Sequence, residues 1–229
     1  MRVTSLEGHR LWAAAYDTLP NPLLALETRS LASQLGDVSG SCFIDIACGT
    51  GRWTTYLCER GASVYGADLC GEMLEGAKKK STIADRVLLA DASALPFRAR
   101  LADATLCSFS AGYFPDLGQA MAEMSRVTKP GGRVYVSDFH PLAVAFGWNR
   151  SFRVGTEIYE LEDFAYTVQH FHSAGRRAGL AMVREYDAYL GEEERSIFDR
   201  AGKGQSFDRY TTVPAVWIGV WRKHDAARS

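Results

Sequence analysis

From Phe43 onward, short apolar runs alternate with amphipathic stretches, the pattern of βαβ units laid over a parallel sheet. Five strands are expected in the first two thirds of the chain: Cys42–Ala47, Ser63–Asp68, Val87–Asp91, Ala104–Phe109 and Arg133–Asp138. Helices are expected between them near Arg52–Arg60, Gly71–Lys80 and Leu117–Val127. Gly61 follows the first of these, where a residue of positive φ ends a helix. Lys129-Pro130-Gly131-Gly132 reads as a type II turn, with proline second and glycine third. The segment before Phe43 reads as helical, interrupted at Leu19-Pro20-Asn21-Pro22.

After His140 the pattern loosens. Phe152–Tyr159 reads as an added strand, and Thr167–Ala178 as a helix capped by Thr167 and ended at Gly179. Ala181–Leu190 and Ala215–Lys223 form an expected closing pair of strands. Between them Gly191–Thr212 is polar and glycine-bearing, with little apolar periodicity beyond Ile197 and Phe198, and reads as a mobile lid or surface loop.

Composition narrows the class without changing this picture. The 229 residues are 47% hydrophobic and 23% charged, as in an ordinary globular chain able to bury a core. With 26 basic and 27 acidic residues the net charge is −1, so no global field favours nucleic acid or anionic lipid. Cys42, Cys48, Cys58, Cys70 and Cys107 are scattered, without a CxxC pair, which argues against a disulfide framework or zinc site and suits a reducing cytosol. The N-terminal residues lack a signal-peptide core, and no apolar run approaches the roughly 20 residues that span a bilayer. The expectation is a cytoplasmic protein, monomeric or homodimeric, with no membrane or nucleic-acid partner and no bound metal.

The chemistry concentrates in Phe43-Ile44-Asp45-Ile46-Ala47-Cys48-Gly49-Thr50-Gly51-Arg52-Trp53, an apolar strand that ends in small residues just before a helix. Gly49 and Gly51 are expected to let a ligand approach the backbone without meeting a Cβ. The next strand ends in Asp68, placed to accept from the two hydroxyls of a ribose. A nicotinamide dinucleotide would need a third glycine near Thr54, and Asp45 would repel its pyrophosphate. Asp45 suits a ligand with a positive α-amino group, such as the methionine part of S-adenosylmethionine. Asp91, at the third strand end, is expected to accept from the adenine amino group, with the Ala92 N–H facing a ring nitrogen.

These landmarks resemble the class I S-adenosylmethionine-dependent methyltransferases of the small-molecule group. The resemblance rests on Asp45–Gly51, Gly66-Ala67-Asp68 with Met73-Leu74, Asp91 with Leu95-Pro96-Phe97, and Arg126–Gly132, over residues 43 to 138. Ala47 departs from it, standing where many members have glycine. The resemblance implies an α/β, Rossmann-like fold: a seven-stranded, mostly parallel sheet with flanking helices, a helical N-terminal lid and a small insertion after the fifth strand. One domain would then cover residues 1–229, with a lid segment at 1–35, a cofactor-binding core at 42–138 and a substrate-side insertion and lid at 140–212. Strands 181–190 and 215–223 would close it, one of them antiparallel. Leu69, Met73, Phe109 and the lid residue Tyr16 join the expected cofactor contacts.

The implied activity is methyl transfer from S-adenosylmethionine to a small-molecule acceptor, at O, N, S or C. Alternatives are a non-catalytic S-adenosylmethionine-binding module and a nicotinamide oxidoreductase. His140, just past the fifth strand, is the expected general base if one is needed, because imidazole titrates near neutrality. Tyr113, beyond the fourth strand, is the expected residue for orienting the acceptor. His170 and His172 point about 200° apart on a helix and do not share an ion. Lys78-Lys79-Lys80 reads as a solvated helix end. Trp148, Phe152, Tyr159, Phe164, Tyr166 and Phe171 either line an acceptor pocket or form the core of their own segment.

Overall fold

The computed structural model describes residues 1–18 and 21–225, so Leu19 and Pro20 of the expected helix break lie outside the described residues. The chain opens with β1 (Arg2–Val3), α1 (Ser5–Trp12), a 3-10 turn at Ala13–Ala15 and α2 (Pro22–Leu35). Asn21 caps α2 by accepting from the Leu23 and Leu24 N–H groups, and Pro22 takes the first turn, where no N–H is needed. The core then follows: β2 (Cys42–Ile46), α3 (Arg52–Cys58), β3 (Ser63–Asp68), α4 (Gly71–Lys78), β4 (Val87–Leu89), β5 (Ala102–Ser108), α5 (Leu117–Val127) and β6 (Thr128–Phe139). Next come α6 (Pro141–Ala145), β7 (Ser151–Val154), β8 (Glu157–Leu161), α7 (Val168–Arg177) and β9 (Leu180–Ala188). The last elements are α8 (Glu192–Arg200), α9 (Phe207–Tyr210) and β10 (Val216–Lys223).

Seven strands form one sheet in the order β4-β3-β2-β5-β6-β10-β9, and only β10 runs antiparallel to its neighbours. Strand alternation sets the two faces. Phe43, Leu106, Tyr135 and Ile218 join Leu26, Leu31, Trp53 and Leu57 on the side of α2 and α3. Ile44, Cys107, Val136 and Trp217 join Met121, Met124 and Phe171 on the side of α5 and α7. Both faces of β2 are thus covered, and the polar end of the strand is left to the site.

Several boundaries shift from the sequence expectation. The Lys129–Gly132 turn lies within β6 as a bulge: Gly131 has the expected positive φ of 76°, but pairing resumes on both sides of it. The expected single strand over Phe152–Tyr159 is a hairpin, β7 and β8, reversed at Gly155 with φ 58°. β1 then pairs with β8 in parallel, Arg2 opposite Glu160 and Val3 opposite Leu161, so the start of the chain and the insertion share a second sheet. Gly8 of α1 sits tightly on this sheet, where a Cβ would strike Leu161, Val3 and Phe152.

The loop expected at Gly191–Thr212 is helical and packed. Glu194 of α8 is 1% exposed; it receives two bonds of 3.1 Å from Arg29 of α2 and accepts from the Gly191 N–H at 2.9 Å. Phe198 and Phe207 join the α2-side core, with their rings 5.2 Å apart. The periodicity was hidden because most of α8 faces solvent and only three of its residues are buried. No helix among the described residues is long and apolar enough to cross a membrane.

Phe198→Ala should therefore lower unfolding free energy in a denaturant melt by about 3 kcal/mol, the cost of an aromatic cavity. A loss below about 1 kcal/mol would mean that α8 is only loosely laid on the core.

Candidate functional site

The β2–α3 turn is built from backbone angles that few residues adopt. Ala47, Gly49 and Gly51 have φ of 54°, 57° and 80°. Gly51 begins α3 and faces inward, where a Cβ would strike Ile83, so its role is to close the turn rather than to admit a ligand. That corrects the expectation for Gly51. Gly49 does line the cavity, but its N–H already donates to Asp68 Oδ2 at 2.7 Å.

Asp68 ends β3 with its carboxylate between two loops, the second bond coming from the Cys70 N–H at 2.8 Å. Burial raises its pKa, and the backbone donors oppose that rise. Asp45, on the α3 face of β2, is 2% exposed and accepts from Thr54 Oγ1 at 2.7 Å. Burial pushes its pKa up to about 7, against the pull of Thr54 and Arg52. Asp91 lies two residues beyond the end of β4, in an exposed turn where its Oδ1 accepts from the Ser93 N–H at 2.7 Å. The strand expected to run to Asp91 stops at Leu89. Since β2, β3 and β4 are neighbours, the three acids stand side by side at one sheet edge.

They line a single cavity of about 800 Å³. Of the expected cofactor residues, Tyr16, Ala47, Leu69, Met73, Ala92 and Phe109 line it as well, as does Tyr113. Burial raises the Tyr113 phenol to about 12, against the pull of Arg150, so it is a hydrogen-bond donor at neutral pH. The Arg150 guanidinium lies between the rings of Tyr113 and Phe139, 4.7 and 4.5 Å from their centroids. It is bonded to Asp138, to Asp163 at 3.1 Å and to the Phe109 carbonyl at 3.0 Å.

His140 is absent from the cavity wall. It caps α6, its Nδ1 accepting from the Leu142 N–H at 3.1 Å while Nε2 meets Asp187 Oδ1 at 3.1 Å. Both ring nitrogens are engaged, Nδ1 in capping α6 and Nε2 with Asp187 of β9, which removes His140 as the base. Of the aromatic cluster after it, only Phe164 reaches the cavity; Phe152 and Tyr159 stack on one another beneath Trp12. His170 and His172 serve locally: the first accepts from the Thr167 N–H at 2.9 Å, the second meets Glu185 at 3.2 Å. Lys80 is more than a solvated helix end, because it bonds the Thr50 carbonyl at 2.7 Å and Asp17 at 2.8 Å.

Residues 44–136 match the protein family described as Methyltransferase domain, a stretch that carries the turn and all three acids. A demethylmenaquinone methyltransferase of Renibacterium salmoninarum is 34% identical over 134 residues, 56% of this chain and 56% of that protein. A malonyl-(acyl-carrier protein) O-methyltransferase of Hamiltonella defensa is 36% identical over 107 residues, 47% of this chain and 41% of that protein. The chain spans about half the length of these curated relatives. A solved S-adenosylmethionine-dependent methyltransferase from Mesorhizobium loti shares the fold, with a TM-score of 0.68 at 21% identity over 89% of this chain and 100% of that one.

The chain is thus similar to methyltransferases over its residues 44–136.

The β2–α3 turn rests on a residue that sequence reading missed. Glu27 of α2 is fully buried and accepts from Arg52 Nη2 at 2.8 Å, Trp53 Nε1 at 3.1 Å, Ser108 at 2.9 Å and Ser137 at 2.6 Å. Its partners come from three separate stretches of the chain, so no local pattern announces it. His9 was missed too. It lines the cavity, and its spacing to Trp12 and Tyr16, three and then four residues, is the helical signal that could have found it.

Ala47 carries a left-handed angle that costs a Cβ-bearing residue about 1–2 kcal/mol. Ala47→Gly should therefore leave the protein as stable as before, or up to about 1 kcal/mol more stable, by chemical denaturation. A loss of about 1 kcal/mol, as at an ordinary ordered position, would contradict the strain.

Proposed function

We propose that the protein transfers a methyl group from S-adenosylmethionine to a small-molecule acceptor. The observation that carries this reading is the row of Asp45, Asp68 and Asp91 along one cavity edge, beside a turn whose Gly49 N–H is already spent on Asp68. A pyrophosphate would meet carboxylates there, whereas a ligand with a cationic amino-acid end meets complementary charge. The donor set therefore fits the cofactor that the family implies.

Asp68 keeps lone pairs beyond its two backbone bonds and accepts from the ribose hydroxyls. Asp45 holds the α-amino group, with Tyr16 and Phe109 near the same end. Asp91 and the Ala92 N–H read the adenine edge, and Leu69 and Met73 supply its apolar surroundings. When bound, the cofactor supplies a methyl already activated on a sulfonium, so alignment contributes much of the acceleration, about 7–11 kcal/mol at most. Tyr113 orients the acceptor by donating a hydrogen bond. The relatives' names include methyltransferases acting on a demethylmenaquinone and on a malonyl carrier, which supports a small-molecule acceptor here. The five free cysteines suit work in the cytoplasm, as a monomer or homodimer without nucleic-acid or membrane partners.

Calorimetry should show saturable binding of S-adenosylhomocysteine and none of NAD. Asp68→Ala should weaken that binding at least about tenfold, since charged hydrogen bonds contribute roughly 1.5–3 kcal/mol each. NAD binding with no response to S-adenosylhomocysteine would overturn the reading.

A second outcome concerns pH. In the free protein Asp45 gains a proton as pH falls through about 7, and an ammonium group binds only its ionised form. Affinity for S-adenosylhomocysteine should weaken below that pH by up to about tenfold per unit in the wild type, and stay flat in Asp45→Asn. Parallel pH profiles in the two proteins would remove Asp45 from the amino-group site.

A further inference from the structure

His9 lies on α1 and faces the cavity roofed by that helix. Its Nδ1 is 2.7 Å from the Ser5 carbonyl oxygen, with Ser5 Oγ at 3.3 Å. A carbonyl only accepts, so Nδ1 carries the ring proton and Nε2 presents a lone pair. Among the described residues no group lies within hydrogen-bonding distance of Nε2. Thr55 Oγ1 is the one buried side-chain polar atom without a partner among those residues, so Nε2 is open to the cavity rather than sealed.

The ring is held by aromatic neighbours: Tyr113 edge-on at 5.2 Å, Trp12 at 6.3 Å and Tyr16 at 6.5 Å. The charged groups facing it are Asp68 at the end of β3 and Arg150 ahead of β7. Burial lowers its pKa and Arg150 pulls the same way, against Ser5 and Asp68, so the imidazole is neutral at neutral pH. Several other candidates for a base are already committed. Tyr113 stays protonated, Asp138 and Asp163 are paired with Arg150, and His140 caps α6.

We propose that His9 is the general base of the methyl transfer and that the acceptor presents an acidic hydroxyl of the phenol or enol class. This rests on the methyl-transfer reading above. As the acceptor oxygen forms its bond to the methyl carbon and the sulfur–methyl bond breaks, His9 Nε2 takes the hydroxyl proton. The positive charge lost at sulfur reappears on the imidazolium, which later releases the proton to water. The acidity follows from the base: an imidazole weakened by burial matches an acidic hydroxyl far better than an aliphatic one. The walls fit the same class, since Trp12, Tyr16, Tyr113, Phe139 and Phe164 suit a flat ring.

The test uses the full chain, S-adenosylmethionine and a series of substituted phenols from phenol to 4-nitrophenol, with release of S-adenosylhomocysteine as the readout. His9→Ala and His9→Gln should bind S-adenosylhomocysteine within about threefold of wild type, showing that the fold and cofactor site persist. Both should lose about 10²–10⁴-fold in turnover of phenol, yet less than about tenfold with 4-nitrophenol at about pH 8, where it is largely ionised. Added imidazole should partly restore His9→Ala. The wild-type rate with phenol should fall on the acid side, and the variants should lack that limb. Equal losses across the series, unchanged rates in the variants, or a wild type that binds S-adenosylhomocysteine but methylates no phenol would each overturn the proposal. A wild type that fails to bind S-adenosylhomocysteine would instead overturn the methyl-transfer reading itself.

Discussion

A buried carboxylate organises this molecule. Glu27 lies at the point where α2 meets α3 and the carboxyl ends of β5 and β6, and it accepts hydrogen bonds from each of those elements. A charge removed from water in this way is tolerable only when its lone pairs are filled, and here they are. The consequence reaches the cavity, because Arg52 follows directly on the β2–α3 turn and Trp53 anchors the helix that begins there. The turn can hold left-handed angles at Ala47, Gly49 and Gly51 because the helix after it is pinned from below.

The charge pattern of the cavity follows from the same division of labour. The cations near the floor are balanced: Arg52 by Glu27, Arg150 by Asp138 and Asp163. The carboxylates at the edge of β2 and β3 accept hydrogen bonds from a hydroxyl and from backbone N–H groups and form no ion pair among the described residues. A ligand that brings positive charge to that edge supplies what the protein leaves out.

The part of the cavity around the β2–α3 turn was legible in the sequence because its features are local. A strand, a glycine turn and a helix lie within a dozen residues, and a carboxylate at a strand end follows from the βα repeat. Gly51 shows the limit even there: its positive φ was readable, but the Ile83 side chain behind it was not. The opposite wall was not legible, because it is assembled from α1, the β7–β8 hairpin and the turn after β5. His140 illustrates the difference. Its place after β6 was read correctly, yet only the fold reveals that Asp187 of β9 and the Leu142 N–H occupy its nitrogens. Likewise α8 looked like a loop because its buried residues are few and their partners lie on α2.

The pairing of β1 with β8 makes the roof of the cavity one mechanical piece from two distant stretches of chain. Gly8 fits against Val3, Phe152 and Leu161 with no room for a methyl group, so the halves are matched in shape as well as in hydrogen bonding. Grafting this roof onto another scaffold would thus require transplanting residues before α2 together with the hairpin. Either piece alone would arrive without the surface it was cut to fit.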